Sequence, residues 1–132
     1  MDETICLKPI GTIRSPIKHS GQAPKQGSEE AVEGELVVDE RYREAFEGLQ
    51  SGQRIVILYW LHLAERDRLQ VHPRGDLSRP LKGVFATRSP HRPNPIAVDV
   101  VEVLKINGTT LAVRGLDALD GTPLLDIKCD MK

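Results

Sequence analysis

Ile96-Ala-Val-Asp-Val-Val-Glu-Val-Leu-Lys-Ile-Asn-Gly-Thr-Thr-Leu-Ala-Val-Arg-Gly-Leu116 is the stretch whose reading decides the fold. Residues 96–104 are valine-rich and read as one long strand, because β-branched side chains fit a pleated surface. Asn107-Gly108 is the strongest short hairpin signal available to a chain of L-residues, and it returns the chain into a second strand over 110–116. Asp120-Gly121 marks another turn before a strand over 124–129. Working toward the N-terminus, Ile-Val-Ile-Leu-Tyr-Trp-Leu sits inside a run over 54–63 that shows no polar alternation. A strand apolar on both faces is buried on both, either inside the domain or against a second subunit. Residues 5–13 and 33–38 read as further strands, with short ones over 69–71 and 83–86.

One helix stands out. Asp39 can cap it, and Tyr42, Ala45, Phe46 and Leu49 recur at helical spacing until Gly48 and Ser51-Gly52 end it. Short strands with tight turns and a single short helix predict an all-β fold, a compact barrel or sandwich. A length of 132 residues predicts one domain over 1–132.

Composition removes several classes of function. Hydrophobic residues make up 39% and charged residues 28%, the balance of a globular chain rather than a disordered one. No run approaches the ~20 apolar residues of a membrane span, and the acidic start lacks the pattern of a signal peptide, so a cytoplasmic protein is expected. Cys6 and Cys129 can pair or remain free, and free thiols are the expectation in that compartment. The net charge of −1 conceals an asymmetry: residues 62–95 carry +4 and the rest −5. His62, His72 and His91 lie in that basic segment. It suits either a localised anionic partner or a solvated basic loop.

Motifs exclude more. No Gly-x-Gly-x-x-Gly follows a strand, and there is no Walker A loop, no Gly-x-Ser-x-Gly elbow and no Cys-x-x-Cys or His-Glu-x-x-His spacing. No metal site is expected, since the histidines are scattered. What remains is Gly83-Val-Phe-Ala-Thr-Arg-Ser-Pro-His-Arg-Pro-Asn-Pro-Ile96. Its prolines each fix φ and restrict the preceding residue, so the loop is stiff without regular structure. Such a loop can hold Arg88 and Arg92 ready for a carboxylate or phosphate, or pair them with acids of the same chain. Asp117 and Asp120 flank a second polar turn beside Thr122. Turn chemistry explains Asp120-Gly121 without function, yet a carboxylate there can also bind ribose hydroxyls or an amino group.

These segments, together with Ile10-Gly-Thr-Ile-Arg-Ser-Pro16, Lys25-Gln-Gly27, Tyr59-Trp-Leu-His62 and Leu119-Asp-Gly-Thr-Pro-Leu-Leu-Asp-Ile-Lys128, resemble the TrmO/YaeB, or TsaA-like, family in order and spacing over nearly the whole chain. The resemblance implies a dimeric β-barrel that binds S-adenosylmethionine and is unrelated to the doubly wound methyltransferases. It also implies methylation of N6 of threonylcarbamoyladenosine next to the anticodon of tRNA. Carried over by position, Lys25, Gln26, Gly27, His62, Leu63, Arg88, Val98, Asp117, Leu119, Asp120 and Gly121 would contact the cofactor. Arg88 is assigned to the cofactor and Arg92 to the substrate, while Asp120 and Arg92 are the candidates for a direct part in catalysis. Ala97 stands where the family usually has glycine. The chain is expected to lack the additional C-terminal domain of longer relatives, which weakens tRNA as substrate relative to the cofactor. A methyltransferase acting on a smaller acceptor, or a non-enzymatic cofactor-binding sensor or interaction module, are the alternatives.

Overall fold

The computed structural model describes residues 3–19 and 31–131. They divide into two compact units: residues 3–59 with 98–131, and an excursion over 60–97. In chain order the strands are β1 (Gly11–Arg14), β2 (Val32–Val38), β3 (Arg54–Trp60), β4 (Gln70–Val71), β5 (Lys82–Gly83), β6 (Ile96–Asn107), β7 (Thr110–Leu116) and β8 (Thr122–Cys129). The first unit is built on a closed barrel with the strand order β1-β2-β7-β6-β3-β8. The second unit contains the two-stranded sheet of β4 and β5.

Alternation fills the barrel. Ile55, Ile57 and Tyr59 point inward from β3, Val101 and Val103 from β6, Leu111 and Val113 from β7, and Leu36 from β2, all of them buried. Each such aliphatic side chain contributes about 1.5–3 kcal/mol by leaving water. The intervening residues of β3, namely Val56, Leu58 and Trp60, are half-buried on the outer face. The strand's apolar run therefore hides an ordinary in–out period.

Several sequence expectations shift in detail. Strand pairing at the N-terminus begins at Gly11 rather than residue 5, because Pro9 has no N–H to donate and Ile5 and Leu7 are exposed. The segment after Asp39 forms a 3-10 helix, Glu40–Phe46, with no buried residue. Asp39 does cap it, accepting from the Arg41 N–H at 2.9 Å. The run over 54–63 stops as a strand at Trp60, after which a turn is closed by the Ala64 N–H on Leu61 O at 3.0 Å. Residues 83–86 are not one strand: β5 ends at Gly83 and Val84–Ala86 turns as 3-10, with the Thr87 N–H on Val84 O.

The β6–β7 hairpin is present, displaced by one residue. Asn107 pairs with Thr110, leaving Gly108-Thr109 as the two-residue loop. Gly108 takes φ +63° at the first loop position, the place where a type II′ turn wants glycine. Thr109 is buried and its hydroxyl donates to Val38 O at 2.8 Å, tying the turn to β2.

Two bulges change the direction of the barrel wall at its polar end. Between β2 and β7 the register moves from Val32↔Leu116 to Glu33↔Arg114, leaving Gly115 as the extra residue. Gly115 adopts φ +111°, open to glycine and hostile to other residues. Between β3 and β8 the register moves from Leu58↔Asp126 to Tyr59↔Leu124. Cys6 and Cys129 are both free and exposed.

Candidate functional site

In the barrel unit the polar interior is concentrated where the two bulges act. Tyr59 lies directly after one of them and remains on the inner face, only 3% exposed. Asp99 has the same parity along β6 as Val101 and Val103, so it too faces inward. Asp117 comes just after the Gly115 bulge and Leu116. The Tyr59 hydroxyl lies 2.8 Å from Asp99 Oδ2 and 2.6 Å from Asp117 Oδ1. Loss of water around it, then the Asp117 carboxyl beside it, pushes the Asp99 carboxyl up to about 7. Burial and the two carboxylates likewise drive the Tyr59 phenol far above its ordinary range, so it stays protonated as a donor.

Asp117 is among the residues that the sequence singles out as candidates for the site. Tyr59 and Asp99 are not, although a signal exists in the parity they share with their apolar neighbours on β3 and β6.

Asp120 serves the same unit differently. Its Oδ1 accepts the Ser15 N–H at 3.0 Å and its Oδ2 takes the Lys18 ammonium at 2.8 Å. The lysine, then the backbone bond, hold its carboxyl below the usual range. The backbone joins in: Asp120 N–H bonds Ile17 O at 2.7 Å and Gly121 N–H bonds Ile13 O at 2.8 Å. The turn that carries Leu119, Asp120 and Gly121 is thus sewn to the chain leaving β1. Asp117, Leu119, Asp120 and Gly121 share this one segment, and Val98 is exposed on β6. Lys25, Gln26 and Gly27 lie outside the described residues.

In the second unit the two loop arginines have different environments. The Arg92 guanidinium donates through Nε to Ser89 O at 3.0 Å, and through one terminal nitrogen to Thr87 O at 2.7 Å and to Val84 O. It is therefore bonded to the carbonyls of its own loop. The Ser89 N–H on Thr87 Oγ1 and the His91 N–H on Ser89 Oγ tighten the same turn. Arg88, inside that turn, is exposed and unpaired. Every other arginine among the described residues has a partner: Arg66, for example, bonds Pro93 O at 2.7 Å and lies over the Trp60 ring. His62 and Leu63 are exposed in this unit as well. A fork left unpaired on a braced loop is suited to a carboxylate or phosphate.

Among the described residues no helix is long and apolar enough to cross a membrane. Comparison with known proteins gives these features a family. The profile of the tRNA-methyltransferase O N-terminal domain matches residues 12–132. A probable S-adenosyl-L-methionine-binding protein of Methanothermobacter thermautotrophicus is 49% identical over 127 residues, covering 96% of this chain and 90% of that one. An S-adenosyl-L-methionine-binding protein of Archaeoglobus fulgidus is 44% identical over 122 residues, covering 92% and 86%. Among solved structures, TrmO from Pseudomonas aeruginosa superposes with a TM-score of 0.79 at 34% identity, covering 98% of this chain. This chain spans 57% of that TrmO chain. The match over residues 12–132, in a barrel that superposes on TrmO, establishes that the chain belongs to the tRNA-methyltransferase O N-terminal-domain family.

Proposed function

We propose that the protein is an S-adenosylmethionine-dependent methyltransferase acting on N6 of threonylcarbamoyladenosine beside the tRNA anticodon. The observation that carries this reading is the unpaired Arg88 fork on a loop braced by Arg92, in a chain of this family. S-adenosylmethionine presents a carboxylate, an ammonium, a sulfonium and ribose hydroxyls beside an apolar adenine face. Each unit taken by itself offers groups from that list. In the second unit Arg88 offers a guanidinium for the carboxylate and Leu63 apolar surface; in the barrel unit Val98 and Leu119 offer apolar surface.

When bound, the cofactor supplies a methyl carbon already activated by the sulfonium. The protein's own task is then alignment and charge management. Gly121 leaves open space above its backbone, with nothing within 4 Å of where a Cβ would stand. The Asp120 bonds to Ser15 and Lys18 fix that turn before any ligand arrives. We assign tRNA as the partner of the basic residues over 62–95, and a homodimer in which the half-buried outer face of β3 is covered.

The test is mass spectrometry of nucleosides from threonylcarbamoylated, N6-unmethylated tRNA incubated with the protein and S-adenosylmethionine. A methylated product that disappears with Arg88→Ala, and tRNA binding that weakens steeply with salt, is the expected result. Bound cofactor without any product would overturn the reading in favour of a smaller acceptor or a sensor.

A further inference from the structure

At the end of the barrel interior Tyr59 and Asp99 place polar atoms where little water reaches them. Tyr59, Asp99 and Asp117 occupy positions that Phe, Val and Asn would fill with less desolvation of charge. Their geometry sets a condition on protons. One phenol has one hydrogen to donate, yet its oxygen lies within 2.8 Å of Asp99 Oδ2 and within 2.6 Å of Asp117 Oδ1. With both carboxylates ionised, one of these contacts has no hydrogen in it. One additional proton completes the network, and Asp99, the more enclosed of the two acids, is where it is cheapest to hold. Asp117, the more exposed, is the member that a ligand can reach.

We propose that Asp117 is the proton acceptor of the methyl-transfer reaction, with Asp99 and Tyr59 as positioning residues that let the pair retain the proton. The proposal rests on the methyltransferase reading. An amine nitrogen that forms an N–C bond to a sulfonium methyl gives up its N–H proton, while the S–C electron pair returns to sulfur as a neutral thioether. That proton passes to the Asp117 carboxylate and is shared with Asp99, whose oxygens and the Tyr59 hydroxyl then have a complete set of hydrogen bonds.

Among the described residues, the neighbourhood leaves the pair to itself. From β8, Leu124 pairs with Tyr59, and from β7 the buried Leu116 precedes Asp117. Of the charged residues of the adjoining strands, Glu102, Arg114, Asp126 and Lys128 lie on the outer face, where Arg114 pairs with Glu102 and Lys128 with Asp126, and Arg54 and Lys105 are exposed. The groups that act on Asp99 are Asp117 and Tyr59. A carboxylate that can pass its proton on to a neighbour whose carboxyl is pushed up to about 7, as Asp99 is, is well matched to general-base work near that pH.

Two measurements test this, the first needing neither cofactor nor substrate. In carboxyl-carbon NMR of the ligand-free chain, one aspartate, Asp99, is expected to titrate at about 7. In Asp117→Asn, whose amide spectrum reports that the barrel is intact, that titration should move toward the ordinary carboxylate range. In single-turnover methyl transfer at saturating cofactor, the wild-type rate should rise with pH to a plateau above about neutrality. Asp117→Asn should lower the rate by roughly 10²–10⁴-fold. Asp99→Asn should shift the rising limb to lower pH, which a merely structural role would not do. Tyr59→Phe should leave the chain folded and move the same limb. Transfer by the wild type with Asp117→Asn within about threefold of it, or with a flat pH profile, overturns the proton-acceptor role and leaves the methyltransferase reading standing. A wild-type chain that transfers no methyl group to any acceptor overturns both.

Discussion

Arg92→Ala tests whether the stiffness of the arginine loop comes from the guanidinium as well as from its prolines. The side chain makes three charge-assisted bonds to carbonyls within the loop, on Val84, Thr87 and Ser89. Hydrogen bonds to a charged group contribute about 1.5–3 kcal/mol each. Immobilising one long side chain costs up to about 2 kcal/mol, and the site is only partly buried. Val84 O keeps other donors, the Thr87 N–H and its hydroxyl, so its loss is softened. The net expectation is a loss of about 2–4 kcal/mol, expressed as opening of residues 84–95 as well as in the global midpoint. Arg92→Lys keeps the charge but not the fork and should recover less than half of it. Arg88→Ala is the internal control. The residue is unpaired, so stability should stay within about 0.5 kcal/mol while cofactor affinity falls. Urea unfolding of the three variants, with amide hydrogen exchange across the loop, checks this. Arg92→Ala as stable as Arg88→Ala, with unchanged protection at Thr87 and Ser89, would refute the bracing role.

The barrel supplies further expectations. Gly115→Ala places a methyl 3.3 Å from Val100 O at φ +111° and should cost about 1–3 kcal/mol in denaturant midpoint. Ile57→Ala empties a fully buried position and should cost about 2–5 kcal/mol by the same measurement. The raised Asp99 carboxyl gives a signed pH dependence. Between the unfolded value of 3.8 and about 7 the native state binds the extra proton, so this group makes stability fall as pH rises through that window. The contribution is of the order of a few kcal/mol, and Asp99→Asn should flatten it in thermal melts spanning the window. Asp120 has the opposite sign. Its lowered carboxyl makes stability fall as the medium is acidified, so Asp120→Asn should lower stability near neutral pH and flatten the acid limb of the profile.

The strands of the barrel are legible because their signals are local. The valine-rich β6, the glycine turn and β7 announce themselves within twenty-one residues of sequence. What sequence misplaces is decided by partners distant in the chain. The hairpin loop sits at Gly108-Thr109 because Thr109 gains a bond to Val38 O on β2. β3 reads as two-sided because Val56, Leu58 and Trp60 are apolar without being fully buried, and only the barrel reveals which face is inside. The site shows the same division. Arg88 and Asp117 can be named from their segments, whereas the contrast between Arg88 and Arg92 depends on where backbone carbonyls point. Tyr59 and Asp99, forty residues apart in the chain, become a unit only across adjacent strands.

The seam between β1 and β8 bears on how the chain reaches this structure. Gly11 pairs with Leu124 and Ile13 with Thr122, and the turn at Asp120 is bonded back to Ser15 across 105 residues. Loop closure over that distance carries an entropic cost before any contact compensates for it, so topologies of this kind fold slowly, in about milliseconds to seconds. The β6–β7 hairpin is local enough to form early, and the seam is expected to close last. The segment holding Leu119, Asp120 and Gly121 lies on that seam. That turn is therefore assembled in the final step of folding, and a partly folded chain has its strands before it has this turn.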